Sequence, residues 1–193
     1  MIKIFLASAS PRRQELLQQI GLKFEVMPSN IDENIDKNEP PERIVQQLAY
    51  SKARDVSQRI SEPGIVIGAD TIVVHGGTVL GKPKDDREAF MMLKSLSGDV
   101  HTVFTGFSII NTYSGKTVNG YEQTLVKFRE ISDEDIQKYI RTGEPMDKAG
   151  AYGIQKKGSM LVDRIEGDYF NVVGLPVAKI AWILQKEFQV CIL

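Results

Sequence analysis

Hydrophobic periodicity in this chain switches repeatedly between about two and about 3.6 residues, and that alternation confines it to folds in which helices pack on a sheet. Ile2, Ile4 and Leu6 alternate with Lys3 and Phe5 ahead of Ala7 and Ser8, which predicts a short, largely buried strand. A helix follows at once: Ser10 suits the N-cap, Pro11 the first helical position, Leu16, Leu17 and Ile20 line one face, and Gly21 stops it. Phe24 to Met27 reads as a second strand, followed by the acidic loop Asn30-Ile31-Asp32-Glu33-Asn34. From Pro41 to Ile60, the spacing of Ile44, Val45, Leu48, Ala49, Val56 and Ile60 predicts the longest helix. Ile65-Val66-Ile67 is a buried strand running into Gly68-Ala69-Asp70-Thr71, and residues 72–75 and 78–80 flank a Gly76-Gly77 hairpin turn. Asp85 and Glu88 resemble a capping box for a helix to Leu96, stopped by Gly98. Strands follow from His101 to Thr112 and Lys116 to Arg129, then a helix from Ser132 to Gly143, a strand from Met160 to Ile165 and a helix from Pro176 through Phe188. This order predicts a mixed sheet covered by helices.

At 193 residues the chain fits one domain, 1–193, with no internal repeat or interdomain linker. Hydrophobic residues at 42% and charged residues at 25% exclude disorder as the main state. With 24 basic against 25 acidic residues, the net charge of −1 offers no general attraction to nucleic acid or an anionic membrane, so any bound anion must meet a local cluster. Cys191 is the single cysteine, which excludes a disulfide framework and a cysteine-based zinc site and fits a reducing cytoplasm. The apolar run Ile4 to Ala7 is too short for a secretory signal, and no stretch of about 18 apolar residues is present to span a bilayer. A cytoplasmic protein is expected.

Chemistry can gather at several points, each with an ordinary structural reading beside it. Arg12 and Arg13 fall in the first turn of a helix whose N-terminus already carries about half a positive charge; they are either solvated surface residues or half of a phosphate cradle. Asp70 near a strand end and Glu33 in the acidic loop are hard oxygen donors suited to Mg²⁺ beside phosphate, or a turn residue and a solvated loop charge. Lys82 and Lys148 lie in glycine- or proline-punctuated loops, able to reach an anion or simply solvated. The stretch Gly150 to Gln155 permits close backbone approach to a ligand and ends in a two-faced hydrogen-bonding side chain, or it is a buried turn. Tyr152, Tyr169 and Phe170 could stack on a base or fill the core. Gly115-Lys116-Thr117 imitates a P-loop end, but the earlier glycine would fall on Ile110, so it reads as a hairpin turn. With only His75 and His101, neither a histidine-based metal site nor a triad is expected, and packed or solvated roles fit both.

Taken in order, Leu6-Ala7-Ser8-Ala9-Ser10-Pro11-Arg12-Arg13, Leu48-Ala49 with Lys52-Ala53, Gly68-Ala69-Asp70-Thr71, Gly81-Lys82-Pro83, Leu96-Ser97-Gly98, Asp147-Lys148-Ala149-Gly150-Ala151-Tyr152-Gly153-Ile154-Gln155, Gly167-Asp168-Tyr169 and Val173-Gly174-Leu175-Pro176 resemble the Maf family of nucleoside triphosphate pyrophosphatases over nearly the whole chain. The resemblance implies an α/β fold shared with the inosine triphosphate pyrophosphatases, a mixed twisted sheet flanked by helices with two lobes around a cleft, frequently as a homodimer. It implies hydrolysis of a nucleoside triphosphate between the α and β phosphates, with a divalent metal, Mg²⁺ or Mn²⁺. Carried over residue by residue, Asp70 would be the general base, Ser8, Arg13, Lys52 and Lys82 would hold the triphosphate, and Glu33 with Asp70 would position the metal. Where some members have a Glu-Glu pair, this chain has Asp32-Glu33.

Arg12, Thr71 and Gln155 match the subgroup that resembles thymidine and uridine triphosphatases, where the subgroup acting on methylated guanosine nucleotides carries Trp, Gln and Glu. A site that hydrogen-bonds a base edge can reject the wrong base by up to about 10⁴-fold. The rival implication, from the family's association with septum formation and arrest of division, is a non-catalytic regulator binding nucleotides or nucleic acid; the charge balance speaks against nucleic acid.

Overall fold

A computed structural model describes residues 2–32 and 39–192. Among them, strands β1 (Lys3–Leu6), β2 (Glu25–Val26), β3 (Gly64–His75), β4 (Thr78–Leu80), β5 (Val100–Asn111), β6 (Thr117–Phe128) and β7 (Val162–Glu166) form one sheet in the order β2-β1-β3-β5-β6-β7, with β4 paired to β3. β1 runs parallel to β2 and β3, whereas the β3–β4 and β6–β7 pairs are antiparallel. Helices α1 (Pro11–Gln19), α2 (Pro41–Arg59), α3 (Asp86–Leu96), α4 (Asp133–Ile140), α5 (Tyr169–Val173) and α6 (Val177–Phe188) complete the mixed α/β architecture expected from the periodicities. The chain divides into two compact units, Met1–Asp70 with Thr105–Glu122 and Gly174–Leu193, and Thr71–Phe104 with Gln123–Val173; β3, β5 and β6 each pass from one unit into the other.

In the first unit, α2 presents a buried stripe of Ile44, Val45, Leu48, Ala49, Ala53 and Val56, and the same stripe contains Lys52. The helix rests directly on strand backbone. A Cβ at Gly68 of β3 would strike the Ala49 carbonyl oxygen and come within 2.8 Å of Ala53 N, and one at Gly106 of β5 would strike the Val45 carbonyl. Phe5, Ala7, Ala53, Val56, Val66 and Ile110 form the core cluster beneath it, with Met27 and Ile60 against them.

The second unit packs α3 and α4 through Ala89, Leu93, Leu96, Ile136 and Ile140 onto Val73, Val103, Val126 and Phe128. Asp85 caps α3 by accepting from Glu88 N at 2.8 Å, while the Glu88 carboxylate accepts from Lys84 N at 2.7 Å, one residue earlier than a capping box would have it. Ser132 caps α4 through Asp135 N at 3.2 Å.

Several expectations need correction. β3 is one strand of 12 residues, so Asp70 lies inside it and not at a strand end. Glycine and aspartate are poor strand formers, but the strand, paired to β1 over Gly64–Ile67 and flanked by β5, runs on through them. β2 shrinks to two residues, and α5 is a short helix that the sequence pattern did not reveal. Ser10 takes the N-cap position of α1 in extended conformation yet makes no side-chain cap bond. The hairpin reading of Gly115 holds: Gly115 N donates to the Asn111 carbonyl at 2.9 Å.

Candidate active site

The turn from β1 into α1 opens beside Gly68 to Asp70, because Ala7 N still donates to the Ile67 carbonyl of the neighbouring parallel strand at 2.8 Å. Ser8, 7% exposed, organises that turn. Its Oγ accepts from Ser10 N at 3.3 Å and from Arg13 Nη1 at 3.0 Å. Arg13 Nε donates to the Gly174 carbonyl at 2.8 Å, so the guanidinium is oriented from two sides within the first unit. Arg12 is half-buried and leaves the helix about 100° away from Arg13, so the two cations serve different directions.

Lys52 and Asp70 form the charged centre of this unit. Lys52 Nζ lies 2.5 Å from Asp70 Oδ1, and both residues are 7% exposed. Strand alternation puts Asp70 on the face of Gly68, over which α2 passes, and Lys52 lies one helical turn after Leu48 and one before Val56. The absence of a side chain at Gly68 therefore lets the lysine come down onto the carboxylate.

The loop beyond β2 is fastened to α2. Asn30 N donates to Asp55 Oδ2 at 3.0 Å, and Arg59 Nη2 bonds the Pro28 carbonyl at 2.6 Å and Asp55 Oδ2 at 2.8 Å. The Asn30 amide, with help from Arg59, holds the Asp55 carboxyl below its ordinary pKa against the opposing effect of burial. Asp32 is exposed, and Glu33 lies outside the described residues. Among the described residues no group of three or more His, Cys, Asp or Glu could hold a metal ion. Asp70 supplies one hard carboxylate, within the one or two that Mg²⁺ takes from protein when phosphates and waters complete its shell, so the donor chemistry fits a divalent ion arriving with a phosphate.

In the second unit, Thr71 follows Asp70 along β3 and is half-buried. Lys82 is exposed, and its loop is joined to the Gly150 turn by Gly150 N donating to the Gly81 carbonyl at 3.0 Å. Lys148 folds back, with Nζ 2.6 Å from the Glu144 carbonyl and 2.5 Å from Asp147 Oδ1. Gln155 is half-buried just ahead of the 3₁₀ turn Lys156–Leu161. Tyr152 is a core residue: it is 5% exposed, its hydroxyl lies 2.7 Å from His101 Nε2, and its ring meets Phe128 edge-on. Burial lowers the His101 pKa to about 4 and raises that of Tyr152. His75 Nε2 lies 2.9 Å from Asp99 Oδ2, and that contact, with the Val100 amide, lowers the Asp99 pKa.

The structure thus joins Ser8 to Arg13 and Lys52 to Asp70 in the first unit, and the loops of Lys82 and Gln155 in the second. Two polar residues went unread in the sequence. Tyr139 Oη accepts from Gly153 N at 3.2 Å, and Asn171, fully buried, donates to the Val103 carbonyl at 3.1 Å and Thr124 Oγ1 at 2.9 Å. Their signals were a phenol between Ile136 and Ile140 and an amide inside the apolar run after Tyr169.

The family model described as Maf-like protein matches residues 3–187. A dTTP/UTP pyrophosphatase from Thermoanaerobacter sp. (strain X514) is 54% identical over 192 residues, and one from Alkaliphilus oremlandii (strain OhILAs) is 53% identical over 193, each alignment covering 100% of both proteins. Another from Clostridium perfringens (strain SM101 / Type A) is 51% identical over 96% of this chain and 97% of its own length. Among solved structures, a HAM1 protein from Coxiella burnetii shares 15% identity over 66% of this chain and 73% of that chain, with a TM-score of 0.47. The ordered motifs, the family match across the described strands and helices, and relatives alike from end to end together make this chain a member of the Maf-like protein family.

Proposed function

We propose that this protein hydrolyses dTTP and UTP between the α and β phosphates, releasing the nucleoside monophosphate and pyrophosphate. The observation that carries the reading is the buried Lys52–Asp70 pair at 2.5 Å, set beside the Ser8–Arg13 turn in a chain similar throughout to proteins named dTTP/UTP pyrophosphatases. Asp70 takes the proton from the attacking water. Lys52 holds that carboxylate in place, and since an ammonium carries three donors it also offers one to a phosphate oxygen. Arg13, aimed by Ser8 and Gly174, and Lys82, on its exposed loop, neutralise charge on the departing pyrophosphate. A divalent ion, Mg²⁺ or Mn²⁺, held by Asp70 with Glu33, would supply further charge neutralisation when bound. Arg12, Thr71 and Gln155 read the pyrimidine edge. The active form is proposed to be a cytoplasmic homodimer, checked by sedimentation; no helix among the described residues is long and apolar enough to cross a membrane.

The test is pyrophosphate release from a panel of nucleoside triphosphates with Mg²⁺, comparing wild type with Asp70→Asn. A general base contributes about 10² to 10⁴ in rate, so release from dTTP and UTP is expected to fall by that factor in the variant. No release from any nucleotide with either metal would sink the reading and leave the phosphate-binding regulator in its place.

A further inference from the structure

We infer that His101, Tyr139 and Tyr152 position the turn from Gly150 to Gln155 and thereby set which base the enzyme accepts. The inference rests on the reading of Gln155 as a base-contacting residue. The turn closes on a backbone bond from Ala151 N to the Lys148 carbonyl at 3.1 Å, in a strained conformation. Gly150 has φ 68° and Ala151 φ 59°, and a non-glycine residue in this left-handed region costs about 1–2 kcal/mol, which only surrounding contacts can sustain.

Those contacts come from different elements of the second unit. Gly150 N reaches the Gly81 carbonyl at 3.0 Å, on the loop that carries Lys82. Tyr139, on α4, accepts from Gly153 N at 3.2 Å. His101, on β5, meets the Tyr152 hydroxyl at 2.7 Å, and the His101, Tyr152 and Phe128 rings pack edge to face with centroids 4.7 to 5.2 Å apart. The two phenolic oxygens thus tie down residues 152 and 153, three and two places ahead of Gln155. Apolar packing of Tyr152 would need no hydroxyl. The specific bonds fix where the turn lies along β5 and α4, and with it the start of the segment that presents Gln155.

The test measures kcat and KM for UTP and CTP in Tyr152→Phe, Tyr139→Phe, His101→Leu and His101→Gln, with Gln155→Glu as reference. A displacement near 1 Å can cost about 10²-fold, so a partly released turn is expected to lower the UTP-to-CTP ratio of kcat/KM by about tenfold, mainly through KM. His101→Gln, whose amide can still meet the Tyr152 hydroxyl, is expected to restore the ratio that His101→Leu loses. A purely structural role would lower the melting temperature and leave the ratio unchanged, and that result overturns the inference if Gln155→Glu does change it. If Gln155→Glu itself leaves the ratio unchanged, the base-reading assignment fails and takes the inference with it. Hydrogen exchange on the unmodified protein adds a readout that needs no variant to fold: the Gly153 amide is expected to be strongly protected, and rapid exchange there would refute the Tyr139 bond.

Discussion

Lys52 and Asp70 place opposite charges where each residue is 7% exposed, so deleting one leaves the other uncompensated at a cost of about 3–5 kcal/mol. Lys52→Met is expected to lose both activity and stability on that scale, while Lys52→Met with Asp70→Leu recovers most of the stability in urea titrations and none of the activity. Asp70 was legible in the sequence as a carboxylate near a strand end, and Lys52 only as a residue of the matching motifs, because nothing local says that the two side chains meet. His101 carries a second residue-level consequence. Burial, aided by His75 and opposed by Asp99, lowers its pKa from 6.5 to about 4, so between these values the unfolded chain binds a proton that the folded one refuses. Stability present above pH 6.5 is therefore lost as the pH falls towards 4, by about 3 kcal/mol in all. Urea midpoints from pH 7.5 to 4 are expected to show this slope in the wild type, and His101→Gln is expected to remove that component.

The contact of α2 with β3 and β5 depends on what Gly68 and Gly106 lack. A Cβ at Gly68 would lie 2.9 Å from that of Ala53 and closer still to the Ala49 carbonyl, contacts that only a shift of the helix relieves. Gly68→Ala is expected to destabilise by about 1–3 kcal/mol, the range for overpacking, and to cut turnover by separating Lys52 from Asp70. A thermal melt and the pyrophosphate assay check both; a stable variant with full turnover would refute the account. Helices with caps and stops were legible in the sequence: Pro11, Ser132 and Gly21 mark ends that the structure keeps within a residue or two. The unbroken β3 was not, because its middle is strand only through its neighbours. Residues 144–161 have no repeating period, and their 3₁₀ turns answer to tertiary anchors such as Tyr139 and Tyr152.

Across the whole molecule, near-neutral charge was readable at once and two lobes were implied by the resemblance, whereas the bounds of the two units were not legible, because they fall inside β3, β5 and β6 rather than between elements. A ligand that binds only the folded chain at about 100 times its Kd adds about 2.7 kcal/mol, which for a chain of this size raises Tm by about 5–10 °C. Asp70→Asn with Mg²⁺ and dTTP, which it turns over too slowly to exhaust, is expected to show that rise in calorimetry, and the same protein with CTP much less. The order of motifs along the chain implied such a ligand; the depth at which Lys52 and Asp70 lie had to come from the fold. At Gly68 and Gly106 the seat of α2 sets main chain close against main chain, which leaves the helix little room to shift over the strands. Turnover is therefore expected to climb smoothly with temperature and to fall away only when α2 leaves the sheet, in step with the thermal melt.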